Sequence, residues 1–225
     1  MTKIKVVGYR YHDIIIYVAQ VLAALGDKVY IKDLSSKWDM YHYIPKVSGI
    51  QPGYPLEIRG VTYGFGRQKA PEDTDYLIIL CDPEQCLDEM RDDSWDVDYL
   101  VISTDEDPVH ECAVERVFGY SSFDESFVGN TTIIFRDYSN INPSFCENTR
   151  DSFKKAQFFE MPFNKKDREA EVFLWVRDDP VFRSLSERMS SIVEKVVCRF
   201  RPQTSVDEFE QAYKVVFVPT RLWKT

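Results

Sequence analysis

The sequence has no glycine-rich loop, no CxxC pair, no long apolar run and no surplus of positive charge. Each absence excludes something. Only 28 lysines and arginines face 37 aspartates and glutamates, a formal net charge of -9. A general nucleic-acid binder needs clustered cations to displace counterions, so direct nucleic-acid binding is not expected. No apolar stretch approaches the roughly 20 residues that span a bilayer, and the N-terminus shows no signal-peptide core. A cytoplasmic protein is therefore expected. The five cysteines (Cys81, Cys86, Cys112, Cys146, Cys198) are odd in number and scattered. They read as buried, reduced thiols rather than as zinc ligands or a disulfide framework. His12, His42 and His110 lie too far apart in sequence to announce a metal cluster. No metal is expected.

What is present is a large potential core. Hydrophobic residues make up 44% of 225 residues and aromatics 14%, enough to exclude global disorder. The run Ile4, Val6, Val7 reads as a strand, and Ile14, Val18, Val21, Leu22 and Leu25 have the spacing of one helical face. Gly26 sits where a C-cap glycine belongs, and "KVYIKDL" follows as a second strand. Strand, helix and strand within about 30 residues form a βαβ unit with parallel strands. Further strands are expected in "GVTYGFG", "TDYLIILCDP", "VDYLVISTDEDP", "NTTIIFRDYS" and "KKAQFFEMPF". Helices are expected near 84–93, 107–118, from Asn142, at 166–176 and at 180–197. Residues 37–60 look irregular. This alternation indicates one doubly wound α/β domain over 1–225, a mostly parallel sheet flanked by helices. Residues 202–225 read as an extension, a short helix and then an edge strand.

In that order the elements resemble the MinD/ParA family of P-loop ATPases. "VAQVLAALGDKVYIKDLS" looks like the family's first helix and second strand, and "TDYLIILCDP" like its Walker B strand. "DYLVISTDEDPVHECAVERV" is similar to the next strand and helix, "NTTIIFRDYSNINP" to the base-recognition strand, and "FFEMPFNKKDREAE" to the late "IPYD…VREA" segment. The likeness covers most of residues 3–197. It implies a P-loop-type fold and a role in positioning pili, secretion machines, flagella, plasmids or division sites.

The departure is at the first loop. The family's GKGGxGK[ST] falls on Gly8-Tyr9-Arg10-Tyr11-His12-Asp13-Ile14-Ile15, so its lysines meet Tyr9 and Ile14 and its metal-binding hydroxyl meets Ile15. Three of its glycines meet Arg10, Tyr11 and Asp13. Isoleucine can neither neutralise a phosphate nor ligate magnesium, and side chains at glycine positions resist the positive φ that turns amides onto phosphate. Asp13 reads as a helix cap and a poor phosphate neighbour. Tight magnesium-ATP binding and hydrolysis are not expected, nor is any other cofactor. Two readings of the loop remain: Tyr9 and Tyr11 plug the vacated pocket, or Arg10, His12 and the helix N-terminus hold a smaller anion or an atypical nucleotide.

Asp33, Asp82, Asp105 and Asn140 are the rim candidates. Asp33 ends the second strand, where a dinucleotide-binding protein would hold ribose; without GxGxxG, turn capping is the alternative. The Walker B position falls on Leu80, with Asp82 two residues on. No partner base makes the carboxylates of "DEDP" a catalytic pair. Trp38, Tyr41, Tyr43, Tyr54 and Trp223 suggest a protein-partner surface, with ordinary loop packing the other reading. A second copy of the chain is one candidate partner. Pro219 and the β-branched run before it oppose the long basic helix that ends MinD, so the C-terminal tail supports marginal membrane contact at most. The function expected is that of an inactive scaffold or localisation factor for a bacterial assembly. A sensor for an unusual nucleotide or anion is the alternative.

Overall fold

The computed structural model describes residues 1–35, 39–44, 54–66, 68–84, 86, 97–119, 130–138, 155–176 and 184–217. The chain runs β1 (Thr2–Gly8), α1 (His12–Ala24), β2 (Val29–Asp33), α2 (Asp39–Tyr43), β3 (Leu56–Ile58), β4 (Val61–Phe65), β5 (Tyr76–Cys81), β6 (Tyr99–Thr104) and α3 (Pro108–Gly119). It continues through β7 (Thr131–Tyr138), β8 (Gln157–Pro162), α4 (Lys165–Val176), α5 (Glu187–Phe200) and α6 (Val206–Phe217). The eight strands form one sheet in the order β3-β4-β2-β5-β1-β6-β7-β8. All neighbours are parallel except the β3–β4 pair.

Side chains along a strand alternate between faces, and here both faces are apolar because each meets helices. Ile4 and Val6 of β1, Val101 of β6 and Ile134 of β7 join the larger core, with Val18, Val21 and Leu22 of α1 and the inner faces of α5 and α6. Val7, Leu100, Ile102, Ile133 and Phe135 enter a second core on the opposite face, with Val114 and Val117 of α3. The doubly wound reading holds.

Local signals explain the element ends. Gly26, at φ +94, donates to Ala23 O (3.0 Å) and closes α1 as its sequence position predicts. α5 starts at Glu187, later than expected, because Ser186 is extended and its Oγ accepts from Met189 N (3.1 Å). Asp167 holds that cap, accepting from Ser186 N (2.7 Å) and Oγ (2.6 Å). The helix runs on to Phe200 because Met189, Ile192, Val193, Val196, Val197 and Phe200 make one continuous buried stripe.

Three expectations need correction. The irregular stretch 37–60 contains α2 and β3, too short to show a period in sequence. "KVVF" at 214–217 is helical in α6, not the beginning of an edge strand. Phe209, Ala212, Val216 and Phe217 are buried at helical spacing in the core that also holds α1 and α5, and tertiary burial overrides the β-propensity of the valines. Cys112 is exposed, although Cys81 and Cys86 are buried as expected. Most of the helix expected near 84–93, the one from Asn142, residues 218–225 and Cys146 lie outside the described residues. Among the described residues, no helix is long and apolar enough to cross a membrane.

Candidate functional site

Parallel strands deliver their following loops to one edge of the sheet, and in such folds that carboxyl edge is where ligands bind. Here it holds a cleft of about 640 Å³. The loop after β1 supplies Gly8, Tyr9, Arg10 and Tyr11, and α1 supplies His12. α2 supplies Asp39, His42 and Tyr43; Asp82 and Glu84 follow β5, and His110 comes from α3 after β6. All three histidines of the chain therefore meet in one place, which their separation in sequence hid.

Gly8 cannot be another residue. Its φ is +131, and a Cβ would stand 1.9 Å from the carbonyl oxygen of Ser103 in β6. The backbone then passes through Arg10 at φ 55, in the left-handed region. α1 begins with no side-chain cap on its first-turn amides. Asp13, expected as that cap, is turned away from it. Its carboxylate is buried and takes both terminal nitrogens of Arg136, one at 2.8 Å, the other closer. Arg136, buried at the end of β7, also donates to the carbonyl oxygen of Arg10. One guanidinium thus ties the loop and the first turn of α1 to the far half of the sheet.

A belt of charge continues from this pair. Arg10 forms an ion pair with Asp137 (2.5 Å) and lies 3.9 Å from Glu171, which Arg168 also contacts. Burial and the neighbouring Asp13 raise the Glu171 pKa, against the pull of the arginines. Beneath the loop, Ile14 and Ile15 are fully buried in the core.

The aromatic residues shape the cleft without closing it. Tyr11 is buried, and its hydroxyl has no hydrogen-bond partner. Burial, then Asp33 and Asp82, push its pKa up. Tyr9 instead lies flat on His110, centroids 3.8 Å apart, and donates its hydroxyl to Glu84 (3.2 Å). Burial and Glu84 raise its pKa. The plug is partial, because the Tyr9 ring packs along the α3 wall of an open cleft.

His12 sits between Tyr11 and Tyr43, 4.4 Å from each ring centroid. It is only 7% exposed, neither ring nitrogen has a hydrogen-bond partner, and burial lowers its pKa to about 4. The imidazole is neutral at physiological pH. His110 Nδ1 is 2.8 Å from Asp105 Oδ1, so Asp105 orients a histidine of the wall. Asp107 accepts from Val109 N (2.9 Å) and caps α3.

The other expected residues divide. Asp82 lines the cleft. Asp33 is buried and accepts from Ser35 N and Met40 N, both at 2.8 Å, which places it in turn capping. Tyr43 is half-buried and lines the cleft, and Tyr41, also half-buried, packs against the core edge-on to Phe65. Tyr54 is 70% exposed. Asn140, Trp38 and Trp223 lie outside the described residues. Sequence reasoning missed Arg136 and His110; Asp105 five residues before a histidine at a strand-to-helix junction was the available signal for the latter. Among the described residues, no three His, Cys, Asp or Glu side chains are grouped to hold a metal ion.

No protein-family model matches the sequence, and no curated protein does. Solved structures match the architecture. The MinC:MinD cell division protein complex of Aquifex aeolicus superposes with a TM-score of 0.62 at 14% identity, covering 91% of this chain and 98% of that one. A ParA family ATPase from Chlorobium tepidum gives 0.53 at 11%, covering 96% and 98%. A putative plasmid partition protein from Borrelia burgdorferi, bound to AMPPNP, gives 0.56 at 11%, covering 90% and 99%. At such identities the likeness is one of fold, and it agrees with the order of elements. The chain has the fold of the MinD and ParA ATPases.

Proposed function

We propose that this protein is a MinD/ParA-fold pseudo-ATPase that acts as a scaffold or localisation factor, binding protein partners in a bacterial assembly of the pilus, secretion or partition type. The observation that carries the reading is the first turn of α1. Asp13 is sequestered by Arg136 there, and Ile14 and Ile15 are committed to the core. The family resemblance puts a lysine and a magnesium-binding hydroxyl at those isoleucines. A triphosphate needs cations and a metal ligand, and this turn supplies apolar side chains. The cleft wall adds Asp39, Asp82 and Glu84, which repel a polyanion.

A specific observation favours a second reading: the uncapped first turn of α1 opens on the cleft beside Arg10, as an anion site would. Against it, Arg10 is already engaged by Asp137, and the three carboxylates outnumber it.

The scaffold reading is tested by gel filtration with and without magnesium-ATP, paired with affinity capture from the native cell. An oligomeric state indifferent to ATP, with specific protein partners retained, supports it. Dimerisation driven by ATP overturns it.

A further inference from the structure

The cleft wall is rich in acceptors. Asp39, Asp82 and Glu84 carry carboxylates, and His12 is buried in the wall with neither ring nitrogen satisfied. The Tyr11 hydroxyl, 1% exposed, is also unpartnered. Asp105 engages His110 at Nδ1, which leaves Nε2 as that ring's remaining hydrogen-bonding atom. The wall's one arginine, Arg10, is paired with Asp137. Tyr9 and Tyr43 add aromatic rings.

We propose that this cleft binds a guanidinium group, carried either by a free arginine-like molecule or by an arginine side chain of a protein partner. The inference rests on the reading above that the cleft does not take a magnesium-nucleotide, and it names what the cleft takes instead. A guanidinium is planar, weakly hydrated and permanently charged, so it stacks on tyrosine while its five N–H donors reach separate acceptors. An ammonium concentrates its charge at one point and suits a spread of acceptors less well. The positive end of the α1 dipole opposes a cation with the equivalent of about half a charge. Asp39, Asp82 and Glu84 set three acidic side chains on the wall against that and Arg10. The volume of about 640 Å³ is ample for an arginine-sized ligand.

The test titrates the full chain with arginine amide, with citrulline amide, which keeps the α-amino group but has an uncharged side chain, with an Arg-containing tripeptide with blocked ends, and with magnesium-ATP. Binding is read by calorimetry and by the imidazole nitrogen resonances of His12. Saturable binding of arginine amide, with a His12 shift that citrulline amide does not produce, is the expected result. The Asp82→Asn, Glu84→Gln variant should lose affinity at least about tenfold, the scale of a lost charged hydrogen bond. Tighter binding of the tripeptide assigns the group to a partner's side chain; tighter binding of arginine amide assigns it to a free molecule. Equal binding of the citrulline and arginine compounds overturns the proposal, as does binding by neither. If magnesium-ATP binds and shifts His12, both this inference and the preceding reading fall. If neither ATP nor a guanidinium binds, only this inference falls. The His12 readout uses the unaltered protein and stands even where a variant fails to fold.

Discussion

Replacing Arg136 by methionine is the sharpest perturbation of the loop. The Arg136 and Asp13 side chains are 4% and 1% exposed, so water cannot take over when one partner is removed. The Asp13 carboxylate would lose both of its guanidinium bonds, and the Arg10 carbonyl would lose its donor as well. Breaking a buried pair by deleting one partner costs about 3–5 kcal/mol. Neutralising both partners removes the uncompensated charge. The double variant Arg136→Met with Asp13→Asn should therefore recover much of that loss, giving a coupling of about 2 kcal/mol or more. The assay is urea unfolding of the parent, both single variants and the double variant, followed by circular dichroism. Additive single effects, or a loss below about 1 kcal/mol for Arg136→Met, would refute the claim that this internal pair holds the loop.

Gly8→Ala should abolish soluble folding or lower stability by several kcal/mol, since the new Cβ meets the Ser103 carbonyl oxygen at 1.9 Å on a backbone at φ +131; a normal melting curve would contradict the geometry. Ser186→Ala should cost about 1 kcal/mol through the lost cap of α5, read by thermal melting. His12 gives a pH signature. Its folded pKa, about 4, lies below the ordinary 6.5, so between those values the unfolded chain binds more protons. The stability His12 confers is complete above about pH 6.5 and is lost as pH falls toward 4, at most about 3 kcal/mol. Comparing urea midpoints of the parent and His12→Gln across that window should show a flatter profile in the variant; parallel profiles would contradict it.

What the sequence disclosed was what is written locally. Ile4 to Val7, the α1 stripe and Gly26 lie within one βαβ unit, and its period and cap are visible without any tertiary knowledge. The apolar run of β5 was legible for the same reason. The cleft was half legible: Gly8 to Asp13 stood out because side chains occupied positions where the family resemblance puts glycines. Of its other walls Asp82 was legible as a rim residue, but His42, Glu84 and His110 were not, because they reach the site from α2, the segment after β5 and α3, which only the sheet's register brings together. The role of Asp13 was misread. At the start of a helix an aspartate ordinarily caps, and nothing local reveals a guanidinium arriving from 123 residues away. In α6, Val215 and Val216 argued for a strand, and only the helix's burial in the core with α1 settled the matter.

The most direct test of the account is thermal melting with saturating magnesium-ATP. A ligand present at 100 times its dissociation constant stabilises a fold by about 2.7 kcal/mol, a shift of several degrees in a chain of this size. No change in midpoint is the predicted result. A shift of that size with magnesium-ATP, lost when Tyr11 or His12 is altered, would contradict it.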